Sequence, residues 1–345
     1  MFSAGDWLTL LETSLEASVT GTTTRCRRRR GKQDTIQARA ARALGLVHMG
    51  ELSNARQALE GESLAPGTEK TWKALTDEEG RPPGVREPLD PFVAEVDPTV
   101  PLNLDIDLLL QNLRNSRRGA AAGPSGITTE HLKILLDSAQ GSSLFGDVAT
   151  LFARGQLPEN ILTAVTVGRL TALQKPDGGV RGIVVGDVFR RLVARTIAKQ
   201  FAEQAEGATH PFQYALSTRA GTECVALFVQ ALTSMDENAT LLSIDGVGAY
   251  DSISRRAMFR GLADMVDGEK IIPFVRQFYD SPSTFLWEDD TGDVRRVRQS
   301  EGGEQGDPLM PLLFSLGQHR AMVAVQAQLK EGERLFAFLD DIWHI

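Results

Sequence analysis

Cysteine is nearly missing from this chain: Cys26 and Cys224 are the only two in 345 residues. They lie far apart in unlike surroundings, which excludes a disulfide framework and favours an intracellular setting. Histidine is scarce as well, and His48, His131, His210, His319 and His344 stand at no spacing that would ligate a metal with one another or with cysteine, so no zinc site is expected. Positive charge is in deficit, with a formal net charge of -8 and a pI near 5.3. That excludes gripping nucleic acid by bulk electrostatics; any such contact must be local. The first 20 residues carry Asp6, Glu12 and Glu16, which spoil both a signal peptide and a membrane span, so no membrane is expected among the partners. No Walker lysine follows the glycines at 119, 123 and 126, which excludes a P-loop, and no internal repeat recurs at a fixed period.

At 345 residues the chain is long enough for about two domains, and its 42% apolar content can bury a core. Residues 1–78 read as a helical and basic region, with two short helices over 37–60 broken near Gly50. The run Arg25-Cys26-Arg27-Arg28-Arg29-Arg30-Gly31-Lys32 suits nucleic-acid binding or nuclear import, and equally a disordered tail. Pro82, Pro83, Pro88, Pro91, Pro98 and Pro101 crowd one polar stretch, which places an extended linker over 79–101. Residues 102–345 form the remaining domain.

The most informative residues are Asp340 and Asp341, side by side in the apolar run Phe336-Ala337-Phe338-Leu339-Asp340-Asp341-Ile342-Trp343. Adjacent carboxylates in a segment of strand-like composition repel, and one must protonate unless cations neutralise them. The bland alternative is a solvated turn, which is how the other such pair, Asp289-Asp290 before Thr291-Gly292-Asp293, reads: a hairpin tip. Asp245 tips the balance. It closes the run 239–244, read as a buried strand, and precedes small residues that allow close approach of backbone and ligand. Two strand-borne acid sites brought together would hold two divalent cations about 3.5 to 4 Å apart, clamping both oxygens of an in-line phosphoryl displacement. Oxygen-only ligands favour magnesium or manganese over zinc.

Between the acid sites, residues 302–314 run from a glycine-rich loop into an apolar helix, with Asp307 expected as N-cap and Pro308 at the first helical position. Capping leaves the glycines and Gln305 unexplained. Upstream, residues 168–185 alternate into a turn and out again as a hairpin, flanked at its tip by Lys175 and Arg181. Taken alone, those two are ordinary solvated charges. Residues 187–199 have helical periodicity, a basic face and Asp187 as cap, and Thr128 or Thr129 would cap a helix after the bend at 124–126.

In order and content these segments resemble the palm of a reverse transcriptase, in particular the non-LTR (LINE-like) retrotransposon and group II intron branch. Residues 243–255 resemble the first palm motif, 302–314 the second and 338–341 the third, whose usual form has Tyr and Ala before the acids. The resemblance implies an α/β fingers-palm fold with an antiparallel palm sheet flanked by helices. It implies that Asp245, Asp340 and Asp341 bind two Mg2+ (or Mn2+) ions while a primer 3′-hydroxyl attacks the α-phosphate of a deoxynucleoside triphosphate. Catalysis would then rest on positioning and charge stabilisation.

Tyr250, five positions after Asp245, stands where such enzymes pack an aromatic ring beneath the sugar, leaving no room for a 2′-hydroxyl; RNA-templated RNA polymerases generally present an acid there. The resemblance places Gln305 and Gly306 in the nucleotide and template pocket, and Lys175 and Arg181 on the triphosphate in the fingers, with Gly182 where the family often has Pro. It gives the basic helix at 187–199 a template contact. Partners would be an RNA template, a DNA or RNA primer and deoxynucleotides, in a nuclear setting. A helical thumb normally follows the third motif, so the chain reads as incomplete at its C-terminus, with a returning strand too short to complete its ladder. The alternative is a catalytically dead retroelement relic acting at most as a nucleic-acid binder.

Overall fold

The computed structural model describes residues 36–76, 86–236, 238–246 and 248–345. The basic run at 25–32, the N-terminal stretch, Cys26, Pro82 and Pro83 lie outside them. Seven strands are described: β1 (Gly168–Gln174), β2 (Val180–Val185), β3 (Leu242–Asp245), β4 (Ser283–Glu288), β5 (Val294–Gln299), β6 (Leu335–Phe338) and β7 (Asp341–His344). They form a mixed four-stranded sheet, order β2-β1-β4-β5, with β1 parallel to β4. A three-stranded antiparallel sheet has the order β3-β7-β6. Helices flank both, so the fold is the mixed α/β class with the expected antiparallel sheet. No helix among the described residues is long and apolar enough to cross a membrane.

The chain divides into two compact units. The described part of the first comprises residues 36–75, Ala172–Arg181 and Trp287–Arg296. Its helices Ile36–His48 and Leu52–Glu60 break at Gly50, whose φ of 78° suits glycine. Trp72 stacks on Trp287 at 5.9 Å, and the Arg295 guanidinium lies 5.3 Å from the Trp72 ring. The turn after β4 is closed by Asp289, whose Oδ1 accepts from the backbone N–H groups of Thr291 (2.9 Å) and Asp293 (3.0 Å), so the second Asp-Asp pair is the hairpin tip its composition suggests.

The described part of the second comprises residues 76, 86–171, 182–236, 238–246, 248–286 and 297–345. Its core is a helical cluster centred on Phe152, whose ring meets Phe189, Phe274 and Phe278 at 5.3, 5.2 and 5.8 Å. Leu109, Val193, Ala194, Phe259 and Leu313 are fully buried around it. Asp187 caps the helix Val188–Gln200 by accepting from Phe189 N–H at 2.9 Å, and Thr128 caps Thr129–Lys133 in a capping box with His131. Of the proline-rich stretch, residues 86–101 carry the short helix Phe92–Glu95 and Asp90, whose carboxylate accepts from both Arg256 and Arg260.

Local expectations change in three places. Strand β3 is exposed, not buried: Leu242 is 53% and Ile244 42% accessible, because β3 is the edge of its sheet. An apolar run cannot by itself report whether a neighbouring layer covers it. The helix after the glycine-rich loop begins at Met310, not Pro308; Asp307 Oδ1 instead accepts from Leu309 N–H at 2.9 Å in a turn ahead of it. Strand β7, expected to be too short for its ladder, pairs along all four residues with both β3 and β6.

Candidate functional site

Antiparallel pairing brings two of the predicted acids together. Asp245 is the register partner of Asp341, and Phe338 faces Asp341 from the other side, so β6 and β7 are joined by the two-residue turn Leu339–Asp340. The Asp-Asp pair thus occupies a hairpin turn and the first residue beyond it. Leu339 has φ 57°, a left-handed conformation that costs a leucine about 1 to 2 kcal/mol. Gln213 holds it there. The Leu339 N–H donates to Gln213 Oε1 at 2.7 Å, and Gln213 Nε2 donates to the Leu339 carbonyl at 3.3 Å. Gln213 is buried, and Ala337 N–H donates to Phe212 O (2.8 Å) while Tyr214 N–H donates to Ala337 O (3.0 Å), so residues 212–214 cover the outer side of β6. Nothing in the sequence around 213 announces this, since the contact spans more than a hundred residues.

The electrostatics show the carboxylates close enough to feel one another. Partial desolvation, then the charges of Asp340 and Asp245, push the Asp341 carboxyl above the ordinary aspartate value. Burial and the Asp340 charge likewise push the Tyr250 phenol well above its usual range, keeping it protonated. As donors, the three carboxylates suit a hard divalent cation, which would relieve the repulsion that raises Asp341. Among the described residues, however, no three His, Cys, Asp or Glu side chains converge on one point. Donor chemistry and strand register fit a metal site; a closed ligand shell is not formed.

Tyr250 lies in the short helix Ala249–Ser252, reached from β3 through Gly248 at φ 60°. Its ring is half-buried and stacks on Phe314 at 4.8 Å, with planes 25° apart. The glycine-rich loop closes against the same helix: Gly303 N–H donates to Tyr250 O and Gly302 N–H to Ile253 O, both at 2.8 Å. A Cβ on Gly302 would sit 2.2 Å from the Asp251 carbonyl oxygen, and one on Gly306 (φ 128°) 2.4 Å from that of Val184. Capping did not account for these glycines; close packing against two backbones does. Gln305 contributes its carbonyl, which accepts from Val184 N–H at 3.1 Å and fastens the loop to β2.

Beneath the loop lies a buried polar cluster that sequence reasoning did not single out. Arg190 donates through Nη1 to Glu304 Oε1 at 2.9 Å and through Nη2 to Asp307 Oδ2 at 3.2 Å. The Tyr279 hydroxyl donates to the same Asp307 oxygen at 2.8 Å, and the Arg190 guanidinium stacks 3.8 Å from the Phe278 ring centroid. Within the expected basic face of its helix, Arg190 is therefore a core residue. Arg255 is equally buried and held by oxygens alone, among them the carbonyls of Gly302 (2.9 Å) and Ser281 (2.7 Å) and Ser283 Oγ (2.9 Å); burial pulls its guanidinium down to about 10. The only hint of either was an arginine amid helical apolar spacing.

Asp245, Asp340, Asp341, Tyr250, Gln305 and Gly306 all belong to one compact unit. Lys175 and Arg181 belong to the other, at the β1–β2 turn, where Lys175 N–H donates to Gly179 O at 2.9 Å. There the Arg181 side chain pairs with Glu62 at 3.3 Å.

Residues 173–345 match the family model of the reverse transcriptase (RNA-dependent DNA polymerase). No curated protein matches the chain. Solved structures similar to it include apo telomerase from Candida tropicalis, 13% identical over 69% of this chain and 55% of that one, TM-score 0.39. The same apo enzyme truncated from its C-terminal domain is 16% identical over 52% of this chain and 44% of that one, TM-score 0.38. Telomerase from Candida albicans in complex with a TWJ fragment of telomeric RNA is 10% identical over 59% of this chain and 42% of that one, TM-score 0.38. The chain thus spans about half the length of the structures it matches.

Proposed function

Since the chain belongs to the reverse transcriptase (RNA-dependent DNA polymerase) family, we propose that it carries out RNA-templated DNA synthesis in a retroelement of the non-LTR kind. The observation that carries this reading is the pairing of Asp245 with Asp341 across neighbouring strands, with Asp340 in the adjoining turn. Asp245, Asp340 and Asp341 would hold the divalent ions, magnesium or manganese by their oxygen chemistry. When bound, those ions supply charge neutralisation at the attacking and leaving oxygens. The protein's own residues do the rest by placement. The stacked, protonated Tyr250 presents a rigid ring edge to the sugar of the incoming nucleotide, and a 2′-hydroxyl would collide with it. Gln305, half-buried, and Gly306, exposed, form the accessible tip of the glycine-rich loop and are assigned to the nucleotide and template pocket.

Lys175 and Arg181 are assigned phosphate-holding roles on the strength of the family pattern. The ion pair of Arg181 with Glu62 is partly exposed, and such pairs contribute about 0 to 1 kcal/mol, so a triphosphate can displace the glutamate. RNA template, DNA or RNA primer and deoxynucleotides are the partners this assignment requires.

Primer extension on an RNA template with magnesium, using the full chain and its Asp340→Ala variant, tests the reading. Extension by the parent and its loss in the variant is expected. Extension surviving Asp340→Ala overturns the metal assignment. A folded parent that retains primer-template duplex without incorporating nucleotide is instead the non-catalytic binder. Manganese titration followed by electron paramagnetic resonance reads the metal step alone, and binding should fall in Asp341→Asn.

A further inference from the structure

Arg190, Glu304, Asp307 and Tyr279 come from three separate elements and are nearly inaccessible, with the side chains of Arg190 and Glu304 each 2% exposed. Burying charges costs several kcal/mol per ion before their attraction is counted, and well-packed apolar residues often serve stability equally well. A cluster of this kind is therefore better explained by geometry than by stability. Its geometry is specific: one planar guanidinium spans two carboxylates that are three positions apart in the chain.

The residues enclosed between those carboxylates are Gln305 and Gly306. Asp307 N–H donates to Glu304 O at 3.0 Å, closing the turn around them. Val184 presses on the same two residues from outside, through its N–H to Gln305 and its carbonyl against the bare Cα face of Gly306. Arg190 itself is anchored three residues after Asp187, where β2 passes into the helix Val188–Gln200. Strand, helix and loop are thereby tied at one point, and that point is a charged fork which water does not reach.

We infer that Arg190 is a positioning residue for the nucleotide-binding loop: its fork on Glu304 and Asp307 sets the conformation in which Gln305 and Gly306 meet the incoming deoxynucleotide and its template base. The inference rests on the polymerase reading for what the loop binds, but not for how the loop is held. Lysine cannot replace the fork, because a single ammonium on a flexible stem cannot bridge both carboxylates in a fixed plane. Nucleotide binding, more than the chemical step, should register the change, since the loop acts on ground-state placement.

The test compares the full chain with Arg190→Lys and Glu304→Gln by hydrogen exchange and by single-nucleotide incorporation. Expected in Arg190→Lys is amide exchange about tenfold faster over 302–307, equivalent to about 1.4 kcal/mol of lost protection, with the β6–β7 hairpin unchanged. KM for the deoxynucleotide should rise about tenfold while kcat stays within about threefold. Glu304→Gln keeps the shape and the Asp307 arm, so it should show the same changes at smaller size; it decides the matter if Arg190→Lys fails to fold. Folded variants whose 302–307 amides exchange as in the parent overturn the inference, as does a fall in kcat with KM unmoved. If the parent incorporates no nucleotide, the polymerase reading fails by itself, and the exchange data still decide whether Arg190 sets the loop.

Discussion

Asp245 and Asp341 stand directly opposite each other on neighbouring antiparallel strands, β3 and β7. Like charges in that position destabilise a sheet unless something neutralises them, so the protein carries at this point a cost that its fold does not require.

That cost should be visible as pH dependence. The Asp341 carboxyl titrates above its ordinary value of 3.8, so its stabilising share is fully present below that pH and is lost as pH rises through the folded value. Asp341→Asn should therefore raise Tm at pH 7 in the absence of divalent ions and leave it unchanged at about pH 3, below the ordinary aspartate range. Asp90 has the opposite sign: hydrogen bonds from Arg260 and Arg256 pull it down to about 2, so its contribution holds above the ordinary value and disappears only as pH falls through about 2. Thermal melts across pH check both, and a drop in Tm for Asp341→Asn at pH 7 would contradict the first.

Removing Gln213 should loosen the turn that carries Asp340. Gln213→Ala deletes both hydrogen bonds to Leu339, for an expected loss of about 1 to 3 kcal/mol. Hydrogen exchange at residues 339–341 should speed up more than at β1, and manganese affinity should fall with it.

Gly306→Ala should be severe for its size. The added methyl would overlap the Val184 carbonyl oxygen at 2.4 Å with φ held at 128°, costing about 3 kcal/mol or more. Denaturant melts check the loss; Gly178→Ala is the control, since a Cβ there meets nothing although its φ of 84° is also positive.

Tyr250→Ala should relax sugar discrimination. With the ring gone from its stack on Phe314, ribonucleotide incorporation relative to deoxynucleotide should rise about tenfold or more. Competition assays with matched ribo- and deoxynucleotides measure the ratio, and an unchanged ratio would remove Tyr250 from the sugar contact.

Much of the scaffold was legible in the chain itself. The turn chemistry of Asp289-Asp290-Thr291-Gly292, the cap at Asp187, the helix break at Gly50 and the hairpin bearing Lys175 are local, decided by residues within a few positions of one another. The strand-like run that ends at Asp245 and the adjacent carboxylates of Asp340 and Asp341 were visible as well, because strand composition and neighbouring charges are sequence properties.

Tertiary structure decided what those local pieces meet. Only pairing shows that β3 is an exposed edge, that Asp245 faces Asp341 in register, and that Gln213 grips Leu339 from 126 positions away. Only packing turns Arg190 from one more cation on a basic helix into a buried fork on Glu304 and Asp307. The physical reason is the range of the forces concerned: turns and caps close within a few residues, whereas desolvation, charge pairing and sheet register depend on neighbours that the chain supplies from far along its length.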